Sequence, residues 1–588
     1  MSQTLSGLGV SPGIAIGEPV VHETRPISTL RITVPPDRVE AEVERFHAAI
    51  ATAIERIKEN RDRAAQQMGE EYAAIFEAHQ LIASDPTFTE TVEKVIREDG
   101  VNAGWAVDQV LQQLISRFEA LPDEYLADRK LDVLDVATQI LGALHGLDLG
   151  QLDRLDRPVI LVADDLPPSA AVQLPLDKML GFALEMGGPT SHTTIIARSL
   201  GIPVIVGAAG ACEQAKRSRL LALDAFEGKI VFDPKPADLS EYESRQREYR
   251  EQQSALLDMR GLPTVTRDGR VIELHANIEL PAEVDKALMW NASGVGLYRS
   301  EFLYMLMSPA LPTEKQHLQT YREMVSKMGE APVTIRTFDL GGRKLAREII
   351  GGGAEANPVL GLRGIRLCFS QPEFFRTQLR AILRVAGEFP PGRVRILFPL
   401  ISGIEEFRIV RLLVREITAE LAAAGHPTHA EVPLGAMVEV PSAAVMARDL
   451  AREVDFLSIG TNDLIQYVLA VDRSNNLVAG LYKPTSPAIL RLIAEVIAAG
   501  REERVDVSMC GEMAADPLMV PVLIGLGLEK FSVNPHAIPV VRGLVRHLSF
   551  RESAQIARRA LQMVTARDVE EYLLERLAFL LARNKIHV

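Results

Sequence analysis

The chain has 588 residues, too long for a single core, so several domains are expected. A hydrophobic content of 47% and a charged content of 24% are those of a globular protein. No apolar run is long enough to span a bilayer, and Cys212, Cys368 and Cys510 are too scattered for a disulfide framework or a zinc cluster. The net charge of −14 argues against general affinity for nucleic acid or anionic membrane. It leaves room for a phosphorylated small molecule, which needs only a local group of arginines, and for a basic protein partner. The chain opens on a polar stretch with no apolar signal, so a cytoplasmic location is the expectation.

In chain order, residues 7–21 alternate small and β-branched residues around Pro12-Gly13, which predicts one or two short strands. From Asp37 the period changes: Val39, Val43, Phe46, Ile50, Ile54 and Ile57 recur every three or four residues. That pattern runs to about His145 with breaks at Asp85-Pro86, Asp99-Gly100 and Leu121-Pro122, predicting a block of roughly four helices. Strands are then predicted at 158–162, 181–185, 204–206, 220–223 and 229–232, with a short helix at 169–174. The helical block therefore reads as inserted into an α/β domain.

Between the second and third of these strands lies Gly187-Gly188-Pro189-Thr190-Ser191-His192-Thr193-Thr194. It places one histidine at the start of a predicted helix over 193–200, closed by Gly201-Ile202-Pro203. Free N–H groups and the helix dipole there suit work with an anion. The alternative is a capping turn whose histidine only bonds a neighbour. Residues 238–259, highly charged and free of glycine apart from their surroundings, predict a solvated helix roughly 30 Å long at about 1.5 Å per residue. An irregular charged linker is the other reading.

From Pro263 onward eight strands alternate with helices: 272–277, 294–299, 333–338, 395–400, 434–439, 456–461, 507–512 and 530–534. This predicts a (β/α)8 barrel, with an open doubly wound sheet as the competitor. Barrel strands present chemistry at their C-terminal ends. There the sequence places Arg299-Ser300-Glu301, Arg336, Glu439, Asn462-Asp463 and Cys510-Gly511-Glu512, with Arg363, Arg366 and Arg473 in the connections. Converging arginines can hold a multiply charged anion through bidentate bonds, and Glu439 and Asp463 are hard oxygen donors of the kind Mg2+ takes. Taken singly, each has a plainer role: an arginine in a salt bridge, Asn-Asp in a turn, Cys510 as a small buried hydrophobe.

Seven segments carry a resemblance: GGPTSHTTIIARSLGIPVIVG (187–207), GVGLYRSEFLYM (294–305), IRTFDLGGRK (335–344), NPVLGLRGIR (357–366), MVEVPSAA (437–444), DFLSIGTNDLIQYVLAVDR (455–473) and MCGEMA (509–514). Together, in this order, they resemble enzyme I of the bacterial phosphoenolpyruvate-dependent sugar phosphotransferase system, over essentially the whole chain. The resemblance implies a multidomain α/β protein. Its parts would be a swivelling phosphohistidine domain (1–35 with 146–235), an inserted helical subdomain that binds a carrier protein (36–145), a linker helix (236–262) and a barrel that binds phosphoenolpyruvate and dimerises (263–588).

It further implies that phosphoenolpyruvate gives its phosphoryl group to His192, which passes it to a histidine of the phosphocarrier protein HPr, and that pyruvate is released. By the same resemblance Arg299, Arg336 and Arg473 bind substrate with help from Arg363, Asn462 contacts its phosphate, Glu439 and Asp463 hold Mg2+, and Cys510 protonates the enolate. Three departures stand out: Pro189 where arginine or alanine is frequent, Arg343 where an acidic residue is common, and Ser300 in place of threonine. None removes a residue given a chemical role. An ATP-dependent relative would need a nucleotide-binding domain, and the chain has no P-loop. A non-catalytic descendant would be expected to have lost one of these residues. A nitrogen-regulatory enzyme I usually carries an extra sensory domain, though a dedicated carrier could still be the acceptor.

Overall fold

The structure is a computed structural model that describes residues 3–23, 27, 29–68, 70–119, 124–147, 155–186, 202–307, 311–339, 357–473, 475 and 477–584. The chain forms two compact units, Met1–Glu251 and Gln252–Val588. Among the described residues no helix is long and apolar enough to cross a membrane.

The first unit combines an eight-stranded sheet with a helical block. Strands β1 (Gln3–Ser6), β2 (Leu8–Ser11), β3 (Ile14–His22), β4 (Val159–Ala163), β5 (Met179–Leu184), β6 (Val204–Val206), β7 (Leu221–Asp224) and β8 (Lys229–Phe232) lie in the order β1-β8-β7-β3-β4-β5-β6-β2. The stretch 7–21 makes two strands, β2 and β3, within the expected one or two, and β1 precedes it. Strands β3 and β4 pair in parallel, Glu18 opposite Val159 and His22 opposite Ala163. The helices lie in the chain between these two strands: α1 (Val39–Met68), α2 (Glu70–Ala83), α3 (Pro86–Asp99), α4 (Ala103–Glu119) and α5 (Glu124–His145).

Among the described residues there are five helices rather than roughly four, because the first periodic run is shared between α1 and α2. The breaks at Asp85-Pro86 and Asp99-Gly100 have the expected causes. The Asp85 carboxylate accepts the N–H of Thr87 at 2.8 Å, Pro86 opens α3, and Gly100 closes it in the left-handed conformation at φ 57°. The predicted short helix spans only Pro168–Ala171, and the charged helix spans Pro236–Asp258.

The second unit is a closed parallel barrel, which removes the open-sheet alternative. Its strands are β9 (Glu273–Ile278), β10 (Val295–Arg299), β11 (Val333–Arg336), β12 (Val394–Phe398), β13 (Leu434–Val438), β14 (Phe456–Ile459), β15 (Asp506–Met509) and β16 (Lys530–Val533). Closure is made by β16 against β9, with Phe531 opposite Leu274. Outward-facing strand residues such as Val333, Ile335, Ile396 and Phe398 pack under Phe375, Leu379 and Ile382 of the helix Pro372–Glu388, all with no exposed surface. Inside the barrel, Leu297, Leu397, Met437, Phe456 and Cys510 form a separate apolar layer. The core is thus a ring around a plug, and polar residues are left to collect where the strands end.

One exposed carboxylate ties the two chain ends of this unit together. Asp268, in the turn before β9, accepts the backbone N–H groups of Phe550 (2.8 Å) and Arg551 (3.1 Å) and the hydroxyls of Thr266 (2.7 Å) and Ser549 (3.0 Å). It caps the helix Phe550–Leu561 from a distant part of the chain. Desolvation works against its charge, but these donors outweigh it and hold the acid well below the usual range. A depressed acid adds stability above its unfolded pKa of about 3.9 and loses it as the pH falls below that value. Asp268→Asn is therefore expected to lower stability at pH 7 by about 1 kcal/mol, a figure kept small because the group is exposed. In thermal unfolding the gap from the parent should narrow at pH 3; an equal gap at both pH values would refute the assignment.

Candidate active site at the barrel mouth

Eight strands of one closed barrel deliver their last residues to one rim, and the predicted side chains arrive there from five of them. Arg336 ends β11, Glu439 follows β13, Asn462 and Asp463 lie in the first turn of the helix Thr461–Leu469 after β14, and Cys510 follows β15. Arg363 immediately precedes the helix Gly364–Ser370. Close approach between neighbouring loops depends on glycine: a Cβ at Gly511 would lie 1.8 Å from Thr461 Oγ1, and one at Gly460 would lie 2.9 Å from Glu439 Oε2.

Arg336 is 7% exposed. Its guanidinium meets Glu301 at 3.1 Å and Asp339 at 3.2 Å, with Met437 Sδ at 3.9 Å. Arg363 donates to Asp339 at 2.9 Å and to Asp463 at 2.8 Å, and also to the hydroxyl of Tyr467 at 3.2 Å. Burial opposes the charge on both arginines, but the carboxylates around them outweigh it and raise their pKa values. Asp339 is likewise buried, yet Arg336 and Arg363 hold it ionised, and its own N–H donates to Glu301 at 2.6 Å.

Glu439 differs. It accepts the N–H of Leu400 at 2.6 Å, and burial together with Asp339 and Asp463 pushes it up to about 8 despite the pull of both arginines. Leu400 presents that N–H from a left-handed conformation, φ 58°, which is uncommon for a branched apolar residue. Oxygens of Asp339, Glu439 and Asp463 all lie within 4.8 Å of one another. Hard donors so close, with one carboxylate resisting ionisation for want of positive charge, fit a divalent cation.

The rim is looser. Arg299 is exposed and pairs with Glu279. Arg473, 45% exposed at its side chain, stands 3.8 Å from Asp463. The amide of Asn462 is engaged with Glu512, donating to its carboxylate at 3.2 Å and accepting its N–H at 3.0 Å, while Tyr482 donates to the Asn462 carbonyl at 3.2 Å. Cys510 is buried; Ser458 donates to its sulfur at 3.3 Å. Burial pushes the thiol up to about 11, so at neutral pH it carries its proton.

The structure thus brings together Arg336, Arg363, Glu439 and Asp463, with Asn462, Arg473, Arg299 and Cys510 on the same rim. His192, Pro189 and Arg343 lie outside the described residues. Arg366 does not join the rim; it donates to the Leu360 carbonyl at 3.1 Å. Sequence reasoning gave no role to Asp339, Glu301 or Tyr467. Each had a signal: Asp339 stands three residues after a strand-end arginine, Glu301 two after another, and Tyr467 one helical turn after Asp463.

Residues 253–550 match the family described as PEP-utilising enzyme, PEP-binding domain. Residues 6–129 match the N-terminal region of PEP-utilising enzymes, and residues 155–228 their mobile domain. The chain is 40% identical over 570 residues to phosphoenolpyruvate-protein phosphotransferases of Bacillus sp. (strain S) and of Geobacillus stearothermophilus, covering 97% of each chain. It is 39% identical over 573 residues to the same-named protein of Bacillus subtilis (strain 168), covering 97% of this chain and 99% of that one. The chain belongs to the phosphoenolpyruvate-protein phosphotransferase family, enzyme I of the phosphotransferase system.

Proposed function

We propose that the protein transfers the phosphoryl group of phosphoenolpyruvate to its own His192 and from there to a histidine of the phosphocarrier protein HPr, as the first step of sugar uptake. The observation that carries the reading is the barrel mouth, where buried Arg336, half-buried Arg363 and three clustered carboxylates gather beyond the strands of a chain in this family. Phosphoryl transfer through a loose transition state asks chiefly for positioning and charge neutralisation, and this rim is built from groups that do both.

Arg336, Arg299 and Arg473 bind the substrate's phosphate and carboxylate, Arg363 assists, and Asn462 contacts the phosphate. Glu439 and Asp463 hold Mg2+, with Asp339 near enough to complete the set. When bound, that ion supplies positive charge that neutralises substrate oxygens. The neutral imidazole of His192 attacks phosphorus: the P–N bond forms as the enol P–O bond breaks. Cys510 gives its proton to the methylene carbon of the enolate, producing pyruvate, and regains one from solvent. Its raised pKa supports an acid's role. The inserted helices dock HPr, the charged helix acts as a linker, the barrel forms a homodimer, and the protein works in the cytoplasm.

Incubation with labelled phosphoenolpyruvate and Mg2+, without ATP, should place acid-labile, base-stable label on the protein. His192→Ala should abolish it, and absence of label on folded parent protein would sink the proposal; adding candidate carriers then identifies the acceptor. Chelation of the metal should remove labelling, and Glu439→Gln should slow it by about a hundredfold or more, the scale of losing one preorganised charged group. Unimpaired labelling in a folded Glu439→Gln protein would remove its assignment to the metal. Cys510→Ala should slow pyruvate formation by about 10²–10⁴. Calorimetric binding of phosphoenolpyruvate should persist in that variant; full pyruvate formation would strike Cys510 from the mechanism.

A further inference from the structure

Behind the strand ends that carry Arg336 and Asp339 runs a hydrogen-bond chain made of side chains that reach no substrate. Ser300, just past β10, donates from Oγ to the Arg336 carbonyl at 2.8 Å. Gln378, on the outer helix Pro372–Glu388, donates from Nε2 to Ser300 Oγ at 2.9 Å and to the Tyr321 hydroxyl at 3.1 Å. Its Oε1 accepts the N–H of Phe338 at 3.0 Å. Tyr321 lies 3.0 Å from His317 Nδ1. Ser300, Tyr321 and Gln378 have no exposed surface, and His317 has 1%.

The protons of Ser300 and Gln378 each have one place to be. A carbonyl only accepts, so Ser300 must donate to Arg336 and take a Gln378 N–H on its lone pair. The Phe338 N–H only donates, which turns the Gln378 oxygen toward β11 and its two hydrogens toward Ser300 and Tyr321. The Tyr321 hydroxyl and His317 Nδ1 share a further hydrogen bond, its direction set by the tautomer of the imidazole. Burial lowers the His317 pKa to about 4, so the ring is neutral.

The β11 ladder ends at Arg336. Past that point Thr337 still donates to the Leu397 carbonyl at 2.9 Å, but the flanking groups at 336 and 338 are held from the outer helix. We propose that Gln378 and Ser300 are positioning residues: they fix the backbone of residues 336–338, and so set where the Arg336 guanidinium and the Asp339 carboxylate stand at the mouth. This rests on the reading of that mouth as the phosphoenolpyruvate site. Arg336 holds the substrate's anionic groups before and during transfer. Loosening it should therefore weaken binding more than it slows the transfer from the saturated complex.

The test measures the initial rate of protein phosphorylation at varied phosphoenolpyruvate, beside thermal unfolding, on the full chain. Ser300→Ala should raise the half-saturating concentration about tenfold with the limiting rate within about threefold, and Ser300→Thr, which keeps the hydroxyl, should restore it. Gln378→Met should raise it at least as much; if that protein does not fold, Ser300→Ala carries the test alone. Tyr321→Phe should lower the melting temperature yet leave the half-saturating concentration within about twofold, since Gln378 still holds both backbone points. An unchanged half-saturating concentration in Ser300→Ala would overturn the inference. So would a rise that follows lost stability equally in Ser300→Ala and Tyr321→Phe, because that is general loosening. A parent protein that takes no label would instead remove the underlying reading, and this inference with it.

Discussion

Two guanidinium groups, one buried and one half-buried, among four carboxylates set the terms for the barrel mouth. Arg336 and Arg363 face Glu301, Asp339 and Asp463 at 2.8–3.2 Å, with Glu439 beside them. Ion pairs this deep gain little by themselves, because desolvation offsets most of the attraction, and removing one partner would leave an uncompensated charge. Their effect is to fix geometry. The negative charge also exceeds the positive charge here, and the shortfall appears at Glu439, which resists ionisation. A cation entering the carboxylate cluster would complete the balance.

The rim grades from fixed to free. Arg336 is held by two carboxylates and a backbone clamped from behind, whereas Arg299 and Arg473 are largely exposed and lightly paired. An anion arriving at the mouth meets adjustable cations first and a rigid one last. Cys510 sits at the boundary between this polar layer and the apolar plug of Leu297, Leu397, Met437 and Phe456. That position keeps its proton on sulfur while leaving it at the inner edge of the rim.

The barrel was legible in the sequence because each strand is an apolar run bounded by turn residues, and all eight runs correspond to observed strands. Their ends drifted where burial outlasts the ladder: Thr337 and Phe338 have no exposed surface although β11 has ended. In the helical block, the division between α1 and α2 is not legible because the apolar period continues from one helix into the next. The rim arginines and the carboxylates Glu439 and Asp463 were found from their place at strand ends. The pairing of Arg363 with Asp339 and Asp463 was not, since it joins segments 24 and 100 residues apart in sequence and no local pattern encodes it. The Gln378 chain was hidden for the same reason: on its own helix that residue reads as one polar position among many.

The parallel pairing of β3 with β4 has a consequence for how the chain assembles during synthesis. Everything from the end of β3 to the start of β4 must leave the ribosome before that sheet can be continued, whereas α1 to α5 make contacts mostly with one another. Local contacts form faster than distant ones. Contacts within the helical block can therefore form before β3 meets either of its sheet neighbours, β4 and β7, which both come later in the chain. The inserted helices thus lengthen the loop that the β3–β4 pairing must close, without depending on that pairing for their own contacts.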